Sequence, residues 1–174
     1  MNQNMGSLQV SHRPMTMADL ERVMAIEAAS FPTPWPVQAF IYEIRRQQGS
    51  ICWVAEVADH DMGPKVVGSI VIWLFHHKAH IGTLSVHPAY RRRGIAQYLL
   101  SHALLESLRL GSISAFLEVR KGNHIAQNLY KKFGFSVTDE RDDYYQDTHE
   151  DALVMTLSSL DEAQLVELGD CGYH

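Results

Sequence analysis

The stretch His87 to Leu100, H-P-A-Y-R-R-R-G-I-A-Q-Y-L-L, constrains this chain most. Pro88 has no amide to give a strand ladder, so the apolar run His80 to Val86 must end beside it. Gly94 permits a tight turn. Ile95, Leu99, Ala103 and Leu104 then recur at helical spacing, and Gly111 closes the helix. A strand therefore passes through a short turn, Arg91 to Ala96, into a helix. The first amides of a helix have no intrahelical partner, and the helix dipole favours an anion there. Gly94 and Ala96 keep side chains away from that spot, while Arg91, Arg92 and Arg93 add positive charge. The turn, extended through Ile95 and Gln97, predicts a grip for a pyrophosphate. The arginine run alone also fits a solvated charged face, or a nucleic-acid patch.

The rest of the chain repeats the alternation. A first strand is expected near Val10, after an unpatterned start. Thr16 to Asp19 resembles a capping box, and Leu20, Val23 and Met24 follow at helical spacing. Pro32 disfavours helix at the residue before it, so this helix should stop before Phe31. Phe31 to Pro36, F-P-T-P-W-P, reads as a stiff loop leading into a second helix that ends near Arg46. Strands are predicted at Cys52 to Val57, Val66 to Phe75 and His80 to Val86. The turn signals D-H-D-M-G-P separate the first two, and a hairpin tip H-H-K-A-H separates the last two. After the helix that follows Arg91, Ser114 to Arg120 is a strand. Asn123 is a good N-cap for a helix bearing Ala126, Leu129, Tyr130 and Phe133. Phe135 to Arg141 and Ala152 to Leu157 are the final strands, and the acidic tail after Ser158 either adds a short helix or stays loose. The order implies one α/β (α+β) domain, a single mixed sheet with helices on its faces.

Bulk properties narrow the function. The chain has 174 residues, enough for one domain with a real core, and a net charge of −5. That balance argues against a protein that coats nucleic acid. Two cysteines, Cys52 and Cys171, make neither a disulfide framework nor a zinc cluster. No signal-peptide pattern and no span-length apolar run is present, so a cytoplasmic protein without direct membrane contact is expected. His76, His77 and His80 lack a metal-binding spacing, and no metal is expected.

Glu118 lies in a strand where Ser114, Phe116, Glu118 and Arg120 face one way. A carboxylate in such an apolar run is a candidate for a raised pKa and for a general base. An ion pair with Arg120 is the competing reading. Tyr130 sits on an apolar helix face and is either core or a proton donor. Phe31, Trp35, Tyr144 and Tyr145 either pack beneath loops or hold a ligand.

His87 to Leu100 resembles the acetyl-CoA loop of the GCN5-related N-acetyltransferases (GNAT), whose pattern is Gln or Arg, two residues, Gly, one residue, then Gly or Ala. Arg91, Gly94 and Ala96 fit in register. Glu118 to Phe135, E-V-R-K-G-N-H-I-A-Q-N-L-Y-K-K-F-G-F, resembles the branch that acetylates the N-terminal alanine of a ribosomal protein (RimI type). Glu118, Val119, Arg120, Asn123, Ala126, Leu129, Tyr130, Gly134 and Phe135 match. Asp143-Tyr144-Tyr145, Glu150-Asp151-Ala152 and Phe31 to Trp35 are similar to further segments of that branch. Lys121 and Gly122 depart from its usual residues, and Asp143 replaces an Asn.

The resemblance implies a GNAT domain over residues 8–158, with 1–7 and 159–174 as terminal extensions. Its sheet would be mostly antiparallel and flanked by about four helices. It implies acetyl-CoA as co-substrate, held by Leu84, Ser85 and Val86 through their backbone, by Arg91 to Gln97, and by Asn123. It also implies Glu118 as base, Tyr130 as acid, and Phe31, Trp35, Tyr144 and Tyr145 around a protein N-terminus. The changed charge at Asp143 would favour a cationic acceptor. A lysine side chain, a polyamine or another small amine stays open as acceptor, as does a non-enzymatic acyl-CoA sensor or complex subunit.

Overall fold

The computed structural model describes residues 9–46, 48–58 and 63–170. Seven strands form one sheet: β1 (Val10–Pro14), β2 (Ser50–Val57), β3 (Lys65–Phe75), β4 (Lys78–Val86), β5 (Ser114–Arg120), β6 (Ser136–Tyr145) and β7 (Glu150–Leu157). Their spatial order is β1-β2-β3-β4-β5-β7-β6. Every neighbouring pair is antiparallel except β4 and β5. Those two are joined by a helix, as a parallel pair requires.

Among the described residues five α-helices accompany the sheet: α1 (Leu20–Ala28), α2 (Val37–Arg45), α3 (Ile95–Arg109), α4 (His124–Lys132) and α5 (Glu162–Asp170). One core joins Leu99, Leu100, Ala103 and Leu104 of α3 to Ile70, Ile72, Ile81, Leu117 and Met155 of the sheet. A second core joins Val23 and Ile26 of α1 and Phe40 of α2 to Val54, Val66 and Val71. The interior strand β3 is thus covered on both faces, which explains its nearly unbroken apolar run.

The acidic tail takes the helical alternative as α5, and Leu160 and Leu165 join the first core. It approaches α3 closely, since a Cβ at Gly169 would lie 2.7 Å from the Ser101 hydroxyl. The expected five-residue tip at His76 to His80 is only two residues long. His76 and His77 have φ of 48° and 60°, the conformation of a tight hairpin turn. Lys78, Ala79 and His80 belong to β4, because buried Ala79 pairs with both Leu74 and Ala115. Part of the D-H-D-M-G-P turn, residues 59–62, lies outside the described residues, as do residues 1–8 and Cys171. Among the described residues, no helix is long and apolar enough to cross a membrane.

Candidate active site

The site arises where the sheet comes apart. β4 and β5 pair from Lys78↔Ser114 to Ile81↔Leu117 and no further. Both strands continue, β4 to Val86 and β5 to Arg120. The register of β4 against β3 skips Gly82, where a bulge separates Thr83 from Ile81. Such a bulge bends its strand and rotates the following residues. The splay leaves a cleft of about 370 Å³. On the β4 side it is bordered by Ile81, Gly82, Thr83 and Leu84, and on the β5 side by Glu118, Val119 and Arg120. Asn123, Ala126 and Tyr130 close one flank; Phe31, Trp35, Tyr144, Tyr145 and Asp147 close the other.

The turn before α3 has the conformation an anion site needs. Gly94 at the helix start has φ of 77°, and Arg92 has φ of 61°. Left-handed residues in such a turn direct successive amides into one concavity. Arg92 and Arg93 are exposed, with the Arg93 guanidinium 5.6 Å from the centre of the Tyr90 ring. Arg91 has another task. Its Nε donates to the Val86 carbonyl at 2.9 Å, and its Nη2 donates to the Ser30 hydroxyl at 3.0 Å. Its side chain therefore braces the turn against the end of α1. Ile95 is core. Gln97 is buried; its Nε2 donates to the Leu168 carbonyl and its Oε1 accepts from Lys132 Nζ. The expectation that Arg91, Ile95 and Gln97 meet the cofactor is thereby limited to their backbone. Long-range contacts to α1, α4 and α5, invisible in a local pattern, claim their side chains.

Leu84 borders the cleft, while Ser85 and Val86 are buried in the strand, with Ser85 Oγ 3.0 Å from Ser69 Oγ. Past Ile81 this edge has no β5 partner, so apart from the Val86 carbonyl, which Arg91 holds, its outward backbone groups are open to an added extended segment. Asn123 caps α4, its Oδ1 accepting from the Ala126 amide at 3.1 Å, and also borders the cleft. Tyr130 is buried in the first core and reaches the same cleft. Burial, then the neighbouring Tyr145, pushes its phenol well above the usual range. It stays protonated at neutral pH and is a weak acid.

Glu118 corrects the sequence reading. Its pKa is lowered, not raised. Burial does push the carboxyl up, but the His80 hydrogen bond and the charges of His80 and Arg141 outweigh it. His80 Nε2 lies 2.6 Å from Oε2, and Arg141 Nη1 lies 3.0 Å from Oε1. The parallel register sets His80 beside Phe116, on whose ring it stacks at 4.2 Å. Arg120, the expected ion partner, turns instead to Asp147 at 2.7 Å and Glu150 at 3.4 Å. Its guanidinium also lies 4.0 Å from the Tyr145 ring centre. His76, His77 and His80 do not gather, since the first two form the turn and His80 is committed to Glu118.

Asp143 is exposed and does not border the cleft; its side chain faces His149 at 2.8 Å. The acid that the β6–β7 hairpin brings to the cleft is Asp147, which accepts from Thr33 at 2.6 Å and from Arg120. Asp147 therefore ties the α1–α2 loop to the β6–β7 hairpin. Trp35 stacks on Trp73 at 5.3 Å. A Cβ at Gly82 would lie 3.0 Å from both rings, so only glycine lets this wall lie flat on β4. His80, Arg141, Asp147, Thr33 and Thr83 escaped the sequence reading. Each is recruited from a distant element, and only the β4–β5 register holds a usable signal, pairing His80 with the Glu118 strand.

The sequence profile of the Acetyltransferase (GNAT) family matches residues 20–135. An N-alpha-acetyltransferase of Mycobacterium tuberculosis, RimI, is 33% identical over 159 residues, covering 84% of this chain and 91% of that one. The crystal structure of the ribosomal-protein-S18-alanine N-acetyltransferase from Escherichia coli superposes with a TM-score of 0.75 and 25% identity. It covers 88% of this chain and 96% of its own. Naa50 of Arabidopsis thaliana, solved in complex with the bisubstrate analogue CoA-Ac-MVNAL, has a TM-score of 0.72 and 26% identity over 86% of this chain and 98% of its own. The splayed cleft, the left-handed turn before α3 and these matches place the chain in the GNAT family of acetyltransferases, as an acyltransferase.

Proposed function

We propose that this enzyme moves an acetyl group from acetyl-CoA to the N-terminal α-amine of a protein, and that the acceptor is a ribosomal protein. One observation carries the reading: a carboxylate, Glu118, and a phenol, Tyr130, line the same cleft at the point where β4 and β5 separate. The named activities of the relatives support the acceptor class. The residues fit acetyl-CoA. The unpaired β4 edge at Leu84 to Val86 suits an extended pantetheine arm, and the turn at Arg92 to Ala96 suits its pyrophosphate. A ribosomal acceptor places the reaction in the cytoplasm.

Acetyl-CoA supplies the activated acyl thioester; the chain supplies orientation and proton handling. Only a neutral amine attacks a thioester, and an α-amine has a pKa of about 7.7–8.0, so part of it is neutral already. With its pKa lowered, Glu118 is a weak base. Of the four lone-pair sites of its carboxylate, His80, Arg141 and its own amide take three and leave one. In this reading Glu118 draws the amine in and takes its proton through a water. The amine nitrogen bonds to the acetyl carbon, the carbon–sulfur bond breaks, and the electron pair leaves on sulfur. Tyr130, kept protonated by burial, makes a hydrogen bond to that sulfur and passes its proton as the bond breaks. Phe31, Trp35, Tyr144 and Tyr145 wall the acceptor's first residues.

A peptide panel varied at its first residue, incubated with acetyl-CoA and read by mass spectrometry, tests the proposal. Acetyl on the α-nitrogen is expected, with a preference among first residues. Acetyl found only on lysine side chains would replace this reading.

A further inference from the structure

Glu27, on the last turn of α1, is completely buried yet takes no part in the chemistry above. Thr83 Oγ1 donates to its Oε1 at 3.1 Å. Burial raises the pKa of its carboxyl, and the Ser85 hydroxyl, Thr83 and the Trp35 amide offset that only in part. Its Oε2 has no hydrogen-bond partner, and no cation pairs with it among the described residues. The carbonyl of Glu27 accepts from the Ser30 and Phe31 amides, at 3.0 and 2.9 Å. The residue thus begins the acceptor loop with its backbone and reaches the cleft wall with its side chain.

A buried carboxylate oxygen without a partner destabilises a fold. Thr83 alone needs only an acceptor, which a neutral amide offers at the same volume. A residue kept against stability marks a site where function opposes it. Thr83 follows the Gly82 bulge and borders the cleft. With its proton committed to Glu27, the Thr83 oxygen has only lone pairs left to offer. An incoming amine has N–H groups that need acceptors, and its own lone pair must point at the acetyl carbon.

We propose that Thr83 accepts a hydrogen bond from the incoming amine, and that Glu27 is the positioning residue that fixes the Thr83 hydroxyl for this task. The proposal rests on the reading that an amine enters this cleft. It adds a second contact to the nucleophile, on the β4 side, opposite Glu118. The two together would fix which way the nitrogen lone pair points.

The test is a double-mutant cycle of Glu27→Gln and Thr83→Val, with Thr83→Ser as the conservative control. Steady-state kinetics with an acceptor peptide bearing a free N-terminus, acetyl-CoA affinity by calorimetry and thermal melting are all measured. Glu27→Gln is expected to melt at the wild-type temperature or higher. Its kcat/KM for the peptide falls about tenfold, while acetyl-CoA affinity changes less than about threefold. Thr83→Val reproduces the loss, Thr83→Ser does not, and the double variant loses no more than either single one. Unchanged kinetics in folded Glu27→Gln would overturn the proposal. So would additive losses, or a drop in melting temperature that accounts for the lost activity. If the wild type acetylates no peptide, the function proposed above fails instead. The cycle then runs on whichever amine the wild type does acetylate, because Thr83 borders the cleft whatever amine enters it.

Discussion

The two flanks of the proposed site are built in different ways. The flank proposed for the cofactor is largely local: one stretch of chain, Val86 to Ala96, outside the cleft lining, supplies a strand end, a left-handed turn and a helix start. It offers mainly backbone amides. The flank proposed for the acceptor draws on the α1–α2 loop, β4, β5 and the β6–β7 hairpin. Side-chain ties across long sequence distances hold it: His80 to Glu118, Arg141 to Glu118, Arg120 to Asp147 and Thr33 to Asp147. A backbone cradle suits a ligand that never changes. A wall of side chains suits a partner that differs between enzymes, because single substitutions re-shape it while the fold stays.

This contrast makes the flanks separable by mutation. The largest effect is expected from Glu118→Gln, which keeps shape but removes charge. The kcat/KM for the peptide should fall about 10²-fold, at the low end for a general base because the group is a weak one. Acetyl-CoA affinity, measured by calorimetry, should hold. Equal loss in both would mean that the flanks are coupled through Glu118.

Tyr130→Phe comes next, because the phenol acts where the flanks meet. Turnover should fall by roughly tenfold or more while acetyl-CoA binding stays near wild type, as for a group that acts in the transition state. Unchanged turnover would make Tyr130 a core residue only.

Gly94→Ala probes the other flank. An alanine held at φ of 77° is strained by roughly 1–2 kcal/mol, about tenfold in acetyl-CoA affinity if the turn gives way. The peptide KM at saturating acetyl-CoA should not move. A shift in the peptide KM instead would place Gly94 outside the cofactor grip.

The smallest effect concerns the tie across the acceptor wall. Hydrogen bonds from Thr33 and then Arg120 hold the Asp147 carboxyl down to about 2, against about 3.9 in an unfolded chain. A lowered folded pKa adds stability above the unfolded value, and that stability is lost as pH falls toward about 2. The melting temperature should therefore drop more between about pH 4 and 2 in the wild type than in Asp147→Asn. Parallel slopes in calorimetric scans would show that the tie adds nothing to the fold.

The same contrast explains what could be read from sequence. The strand–turn–helix at Arg91 and the faces of β5 follow from local period and turn chemistry, and the structure keeps them. Tyr130 and Asn123 also stand where the helical period sets them. The protonation state of Glu118 was not legible, because His80 and Arg141 meet it only once the sheet has formed. His80 stands at the border of the expected tip and the expected strand, and no local pattern points from there to Glu118. Asp143 drew attention by its change of charge, yet the neighbouring hairpin residue Asp147 turns inward. Arg91 matched a motif by position and Gln97 follows it, while the end of α1, α4 and α5 claimed their side chains.

A matched pair of peptides, one with a free N-terminus and one with that amine blocked, both carrying a lysine, tests the central claim most directly. Initial rates of CoA release with acetyl-CoA are compared. Rapid release with the free peptide and none above background with the blocked one is the predicted result. Equal rates with both would contradict the assignment of the cleft to a protein α-amine.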